Sequence, residues 1–473
     1  MIQTVKNLRA ICLFLMLPLC SFAQVAPNSN STTTLPAAPE PQETATPSLS
    51  TSGQTPQPAT GPQAVYGTPI PLSLQDAQAL ALKHNPQISV ARLTALASRQ
   101  VTREARSSFW PTAQIELTAV DANPGSRITA GALNNPTVYQ RAAAGAMVTQ
   151  LITDFGRTAN LASSANLAAK AENQNAMATK EQILLAVDQA FYSSLQSQAV
   201  LTVAQETVKA RQMVSNQVNS LFQSKLKSGL DLSFANVNLA QAKLLLLDAQ
   251  NNENAARAAL SAVLGFSNLQ NFQLVDDPTP NAPPPGNVDD LVSIAFAVRP
   301  EILALEFQSE SARKFQIAER DLLFPDIRAL GAVGDTPIRN PIVSAWYGAV
   351  GVNVNIPVFN GFLFSARAKE AALRAQATEE RLRDLRDQIA RDVRNSWLNA
   401  TTAYDRLAVT QQLLEQANLA LTLAQSRYNL GLASIVELSQ AQLQQTQAQI
   451  TNAQAGYDYR LLLAILKYQT SGI

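Results

Sequence analysis

Tyr428-Asn429-Leu430-Gly431-Leu432-Ala433-Ser434 interrupts a long apolar period, and its reading decides the fold. Before it, apolar residues recur at Leu382, Leu385, Ile389, Val393, Trp397, Ala400, Tyr404 and Leu407. They continue at Leu414, Ala417, Leu421, Ala424 and Tyr428. Steps of three and four residues are the period of a helix with one buried stripe. The period restarts at Ile435 and runs to about Lys467. Glycine takes the left-handed conformation without steric penalty, so Gly431 is where the first helix ends. The stretch reads as two long helices folded back on each other. An earlier copy of the device is read about two hundred residues upstream, turning at Gly229.

Ahead of the second hairpin, Ser344 to Val358 alternates. Trp346, Val350, Val352, Val354 and Ile356 share one face, and Asn353 and Asn355 lie on the other, which is the period of a two-faced strand. Residues 326–334 form a second strand candidate, followed by a loop from Asp335-Thr-Pro337 to Asn340-Pro341. Glu301 to Leu323 reads as a helix stopped at Phe324-Pro325, and Asp290 to Val298 as a shorter one stopped at Arg299-Pro300.

The first half repeats this order. A short helix follows Ser73 and stops at Asn85-Pro86, and a second runs from about Gln87 to Ser108 ahead of Trp110-Pro111. Strands are expected over 112–120, with Ala113, Ile115, Leu117 and Ala119 on one face, and over 141–152. A long helix then runs from Arg157 to about Lys225, and another from Gly229 to Leu264. Pro86 to Pro300 and Pro111 to Pro325 are both 214 residues. Gly156 to Gly361 and Tyr192 to Trp397 are both 205, and Gly229 to Gly431 is 202. An order repeated at nearly constant spacing is an internal duplication.

The 473 residues therefore divide into a signal peptide (1–23), a Pro/Ser/Thr-rich leader (24–71), a first repeat (72–275), a proline-rich linker (276–287) and a second repeat (288–473). The signal reading rests on Lys6 and Arg9, the apolar run Ile11 to Leu19, and Ser21-Phe22-Ala23. Cleavage there removes Cys12 and Cys20 and leaves 34 basic against 35 acidic residues. A lipoprotein signal with Cys20 modified is the rival reading; the large Leu19 argues against it. The leader is too polar and aperiodic to bury a core.

Balanced charge excludes the basic field that a nucleic-acid binder needs. No later segment has eighteen consecutive apolar residues, so no transmembrane helix is expected. His84 is the single histidine; without cysteine beside it, no metal or cofactor site is expected, and no nucleophile–base pairing points to an enzyme. Four alternating strands per chain make a sheet with two bare edges, which a bilayer does not tolerate, and the smallest barrels have eight strands. A membrane barrel must then be shared: eight strands from two chains or twelve from three. Apolar positions beyond one seam, such as Phe191, Tyr192 and Trp397, leave open whether the helices form a solid rod or a hollow tube.

With these elements in this order, the chain resembles the TolC-type outer-membrane efflux proteins from Leu72 to about Tyr468. The resemblance is carried by the two X-Pro helix stops, Phe109-Trp-Pro111 and Phe324-Pro325, Ile356-Pro-Val-Phe-Asn-Gly361, and Tyr428-Asn-Leu-Gly-Leu-Ala-Ser434 followed by Glu437-Leu438 and Ala441. It implies a mainly α fold: a homotrimer with a twelve-stranded β-barrel in the outer membrane and an α-helical barrel reaching through the periplasm. It implies an exit duct for an inner-membrane pump or type I exporter, joined through a periplasmic adaptor. A soluble periplasmic coiled-coil adaptor or scaffold is the alternative, and the alternating strands speak against it.

The resemblance also assigns residues. Tyr428, Gly431, Leu432 and Ser434, with Gly229 and Leu230 in the first copy, match the adaptor-docking tip. Glu437 and Gln440 match the two pore-narrowing positions just past the second turn. The basic partner of some relatives falls at Ala433, so their ionic latch is missing. Leu226 stands where an aromatic is usual, and the first-copy counterpart of Glu437 is read as Asn236 or Ala235.

Overall fold

The computed structural model describes residues 70–123, 140–276, 282–339 and 344–471. The signal reading and almost all of the leader lie outside them. The first copy consists of β1 (Ile70–Leu72), α1 (Leu74–His84), α2 (Pro86–Ser107), β2 (Thr112–Val120), β3 (Arg141–Thr153), α3 (Arg157–Gln223) and α4 (Gly229–Val263). After β4 (Phe272–Leu274) come α5 (Val288–Val298), α6 (Pro300–Arg320), β5 (Asp326–Ile338), β6 (Trp346–Asn355), α7 (Leu363–Asn429) and α8 (Ile435–Gln469). The short strands β1 and β4 pair in parallel and have no sequence signature.

The duplication has two offsets, not three. α1, α2 and β2 begin 214 residues before α5, α6 and β5, whereas α3 and α4 begin and end 206 residues before α7 and α8. The spacings of 205 and 202 read from single residues therefore give way to a constant 206. The eight-residue difference is absorbed between the two strands of each copy.

Local chemistry explains the boundaries. Ser73 caps α1 by accepting from Asp76 N at 3.2 Å. Asn85 closes α1 and caps α2, its Oδ1 accepting from Gln87 N at 2.9 Å while its Nδ2 donates to Val263 O at 3.0 Å. Pro86 follows at the first helical position, where its missing N–H costs nothing. The second copy ties the same corner differently. Arg299 is buried and donates to Gln469 Oε1 at 2.6 Å and to Glu301. Each corner is thus bound to the last turn of its own copy's hairpin.

The helices form a wall one layer thick. In its upper half the neighbours run α2, α3, α6, α7; in its lower half they run α4, α3, α8, α7. The 67-residue α3 and α7 pass through both halves, each about 100 Å long at 1.5 Å per residue. Two duplicate cores fix the waist. Ala77, Ala81, Ile183, Val187 and Leu260 form one; Leu291, Ala295, Ile389, Val393 and Leu466 form the other at the corresponding positions.

Above the helices lies a four-stranded antiparallel sheet, β2-β3-β5-β6. The expected strand over 326–334 continues through Pro337 to Ile338, because Ala142 and Thr336 still find partners across the ladder there. The strand read over 344–358 is shorter, Trp346–Asn355.

Candidate functional site

Two regions of the fold hold the residues expected to do the work: the hairpin tips and the sheet wall. At the second tip α7 ends at Asn429, and Gly431 adopts φ +75°. Gly431 N–H donates to Tyr428 O at 3.1 Å and Leu432 N–H to Arg427 O at 2.8 Å, the pair of bonds that closes a helix over a left-handed residue. Ser434 caps α8, accepting from Glu437 N at 3.3 Å. The Glu437 carboxylate turns away from the cap and meets Arg427 Nη1 at 3.2 Å.

The first tip makes the same turn with different residues. Lys225 N–H donates to Phe222 O and Leu226 N–H to Leu221 O, both at 2.8 Å, and Lys225 itself sits at φ +60°. Ser228 caps α4 in a full capping box: its Oγ accepts from Asp231 N at 3.2 Å, and Asp231 Oδ2 accepts from Ser228 N at 3.0 Å. The reversal is therefore at Lys225, and Gly229 is merely the first residue of α4. In this register Phe222 answers Tyr428, Leu226 answers Leu432, Lys227 answers Ala433, and Asp231 answers Glu437. The counterparts read as Leu226 for the aromatic, and Asn236 or Ala235 for the acid, are corrected accordingly. Glycine was the wrong marker because a lysine holds the left-handed position. The repeated Ser-x-x-Asp231 and Ser-x-x-Glu437 spacing is the signal that gives the right one.

The expected tip residues divide by burial. Leu230 and Leu432 are exposed, as are Leu226 and Leu430 beside them. Gln440 is exposed and Glu437 partly so. Tyr428 is buried, as its place on the apolar stripe requires: it is 4% accessible, packed among Ala424, Ile435, Leu438 and Ala441 with Phe234 of the first hairpin against that cluster. Lys227 Nζ lies 4.0 Å from the centre of its ring, a cation–π contact between hairpins. The buried Tyr428 Oη has no hydrogen-bond partner. Burial, and after it the charge of Asp231, pushes this phenol up.

Above the tip the two hairpins are stitched together. Asn238 Nδ2 donates to Ser439 Oγ at 2.7 Å. Arg211, only 7% accessible, reaches from α3 into α8, its Nη2 donating to Gln442 O at 2.7 Å and Thr446 Oγ1 at 3.0 Å. It makes no ion pair, and burial pushes its guanidinium down to about 10. Neither Lys227, in the turn, nor Arg211, in the polar helix α3, carries a distinguishing pattern in the sequence.

The sheet wall has two contrasting faces. Register places Ala113, Ile115, Leu117, Ala144, Ala146, Val148, Val333, Val350 and Val352 on one face. There Ile115, Leu117 and Val350 are 79%, 80% and 93% accessible, values that aqueous solvent penalises. The other face carries Gln114, Glu116, Arg328, Asn353 and Asn355. β2 and β6 each have one neighbour, so both outer edges are bare. Below the sheet Trp110, Phe155, Phe324, Phe359 and Phe362 are exposed in a belt, and Trp346 is exposed at the far end.

No described residues form a group of three or more side chains able to hold a metal ion. His84 packs its ring 5.6 Å from Phe266 beside the first corner. Among the described residues no helix is long and apolar enough to cross a membrane.

Residues 78–266 and 291–467 match the family described as outer membrane efflux protein. No curated protein sequence matches the chain. Among solved structures, the outer-membrane channel OprN superposes with a TM-score of 0.75 at 18% identity, covering 85% of this chain and 90% of that one. The outer membrane protein VceC from Vibrio cholerae gives 0.72 at 18% identity, over 84% and 96%. The Campylobacter jejuni CmeC outer membrane channel gives 0.74 at 16% identity, over 90% and 94%.

Proposed function

Because the chain belongs to the outer membrane efflux protein family, we propose that three copies assemble into one channel-tunnel, the exit duct of a tripartite efflux pump or type I secretion system. The sheet carries this reading: an apolar face, a polar face and two bare edges in one molecule. Strands of nine to thirteen residues suit a tilted crossing of the hydrocarbon layer. Unpaired edges are not tolerated there, so β2 of one copy pairs with β6 of the next until the ring closes. The aromatic belt and Trp346 mark the two interfaces. Val237, Leu244 and Leu247 on α4, and Val409, Leu413 and Leu423 on α7, are exposed on the lateral elements of the lower wall and are covered by the adjoining copies.

The duct is passive, and its energy comes from an inner-membrane pump. Transfer runs through a periplasmic adaptor that meets the tips, where Leu226, Leu230, Leu430 and Leu432 offer apolar knobs. Gly431 and Ser434 shape the second tip, with Tyr428 packed beneath it. Glu437, repeated three times around the axis and joined by Gln440, narrows the pore and favours cations. Its pairing with Arg427 moderates that charge. Light scattering of protein extracted from outer membranes in mild detergent tests the assembly. A particle of three chains is expected; a detergent-independent monomer would sink the duct.

A further inference from the structure

One row of the sheet crosses all four strands on its polar face: Glu116, Gly145, Gly334 and Tyr347. Its two middle members have no side chain, and Tyr347 lies down across both. A Cβ built on Gly145 or on Gly334 would collide with the Tyr347 hydroxyl. At Gly334 it would also crowd Ala144 O at 2.6 Å, whereas at Gly145 the tyrosine is the sole close obstacle, with Val333 O at 3.4 Å. On the opposite face Trp346 lies over Gly348 in the same manner, a Cβ there coming within 2.9 Å of its ring. Tyr347 is the second residue of β6, at the end of the sheet remote from the helices.

Ring atoms that fill a hollow in a wall do not occupy the bore beside it. We propose that the Gly145–Gly334 hollow is a berth that holds Tyr347 flat, and that this berth sets the bore near the outer mouth of the channel. The proposal rests on the shared barrel proposed above, which makes the polar face the lumen. A side chain at Gly145 would evict the ring, and three upright tyrosines would then face the axis at one level. The residue governing passage at this level would be Tyr347, although it is Gly145 that decides where the ring lies.

Single-channel conductance in planar bilayers tests this with four trimers: wild type, Gly145→Val, Tyr347→Ala and the double variant. Gly145→Val should lower conductance by less than about twofold, because the upright rings add resistance in series with the narrowing at Glu437. Tyr347→Ala should conduct at least as well as wild type, and the double variant should return to the wild-type value. A Gly145→Val channel as conductive as wild type, or a double variant as poor as the single one, overturns the berth. Should Gly145→Val yield no trimers, Gly145→Ala takes its place: a smaller fall, again cancelled by Tyr347→Ala, is expected, and no fall overturns it. Wild-type trimers that conduct in either case leave the duct standing. A wild-type protein that opens no channel removes the duct and the berth together.

Discussion

The two hairpin tips make one turn from different materials. The second uses Gly431 at φ +75°, where glycine meets no penalty; the first forces Lys225 to φ +60°. A non-glycine residue there costs about 1–2 kcal/mol. The first tip offsets the strain with a capping box that engages Asp231, while the second leaves Glu437 to pair with Arg427. The first tip thus gains local rigidity and two lysines; the second keeps an unstrained turn and a charged pair on its surface. The pair teaches that a duplicated geometry survives while the chemistry that holds it drifts.

The aromatic positions should separate the tips most. Tyr428→Ala empties a buried site and should cost about 3–5 kcal/mol of stability, whereas Phe222→Ala, on a partly exposed ring, should cost markedly less. Thermal unfolding of detergent-solubilised trimers reads both, and equal losses would mean the tips are alike. Gly431→Val comes next: about 1–2 kcal/mol of backbone strain and loss of export with trimers still in the membrane. Unchanged export in a cell-based efflux assay would remove the second tip from docking.

At the first tip the sign reverses. Lys225→Gly relieves the left-handed strain and should slow amide exchange around 221–230, stabilising the turn by about 1 kcal/mol; faster exchange would show that the lysine is unstrained. Ser228→Ala should cost about 1 kcal/mol and Ser434→Ala less, because only the first cap is reciprocal. The smallest effect belongs to Glu437→Ala. An exposed ion pair contributes about 0–1 kcal/mol, so stability should barely move, while block of the channel by trivalent cations weakens. Unaltered block would exclude a ring of carboxylates at this level.

Much of this was legible in the sequence. The alternating faces of 112–120 and the apolar period around Gly431 led directly to the sheet and the second hairpin. The X-Pro corners gave the offset of 214, because proline cannot continue the preceding helix. What escaped depended on partners distant in sequence. Lys225 hid the first turn because no local rule places lysine in a left-handed conformation. Pro337 suggested a loop, yet the ladder continues past it. Tyr428 lies on the expected buried stripe, but its cover includes Phe234 of the other hairpin, some two hundred residues away. Three-residue β1 and β4 pair across some two hundred positions, and no local pattern announces that.

The bare edges of the sheet also bear on kinetics. A barrel whose first and last strands belong to one chain closes at a rate independent of its neighbours. Here the four strands of one chain are too few to close on themselves, so in the shared barrel proposed above β2 and β6 must await other molecules. Channel formation should therefore rise faster than linearly with the number of subunits in the membrane, and lag when they are scarce. A cell that makes little of this protein would pass abruptly, rather than gradually, from having no ducts to having many.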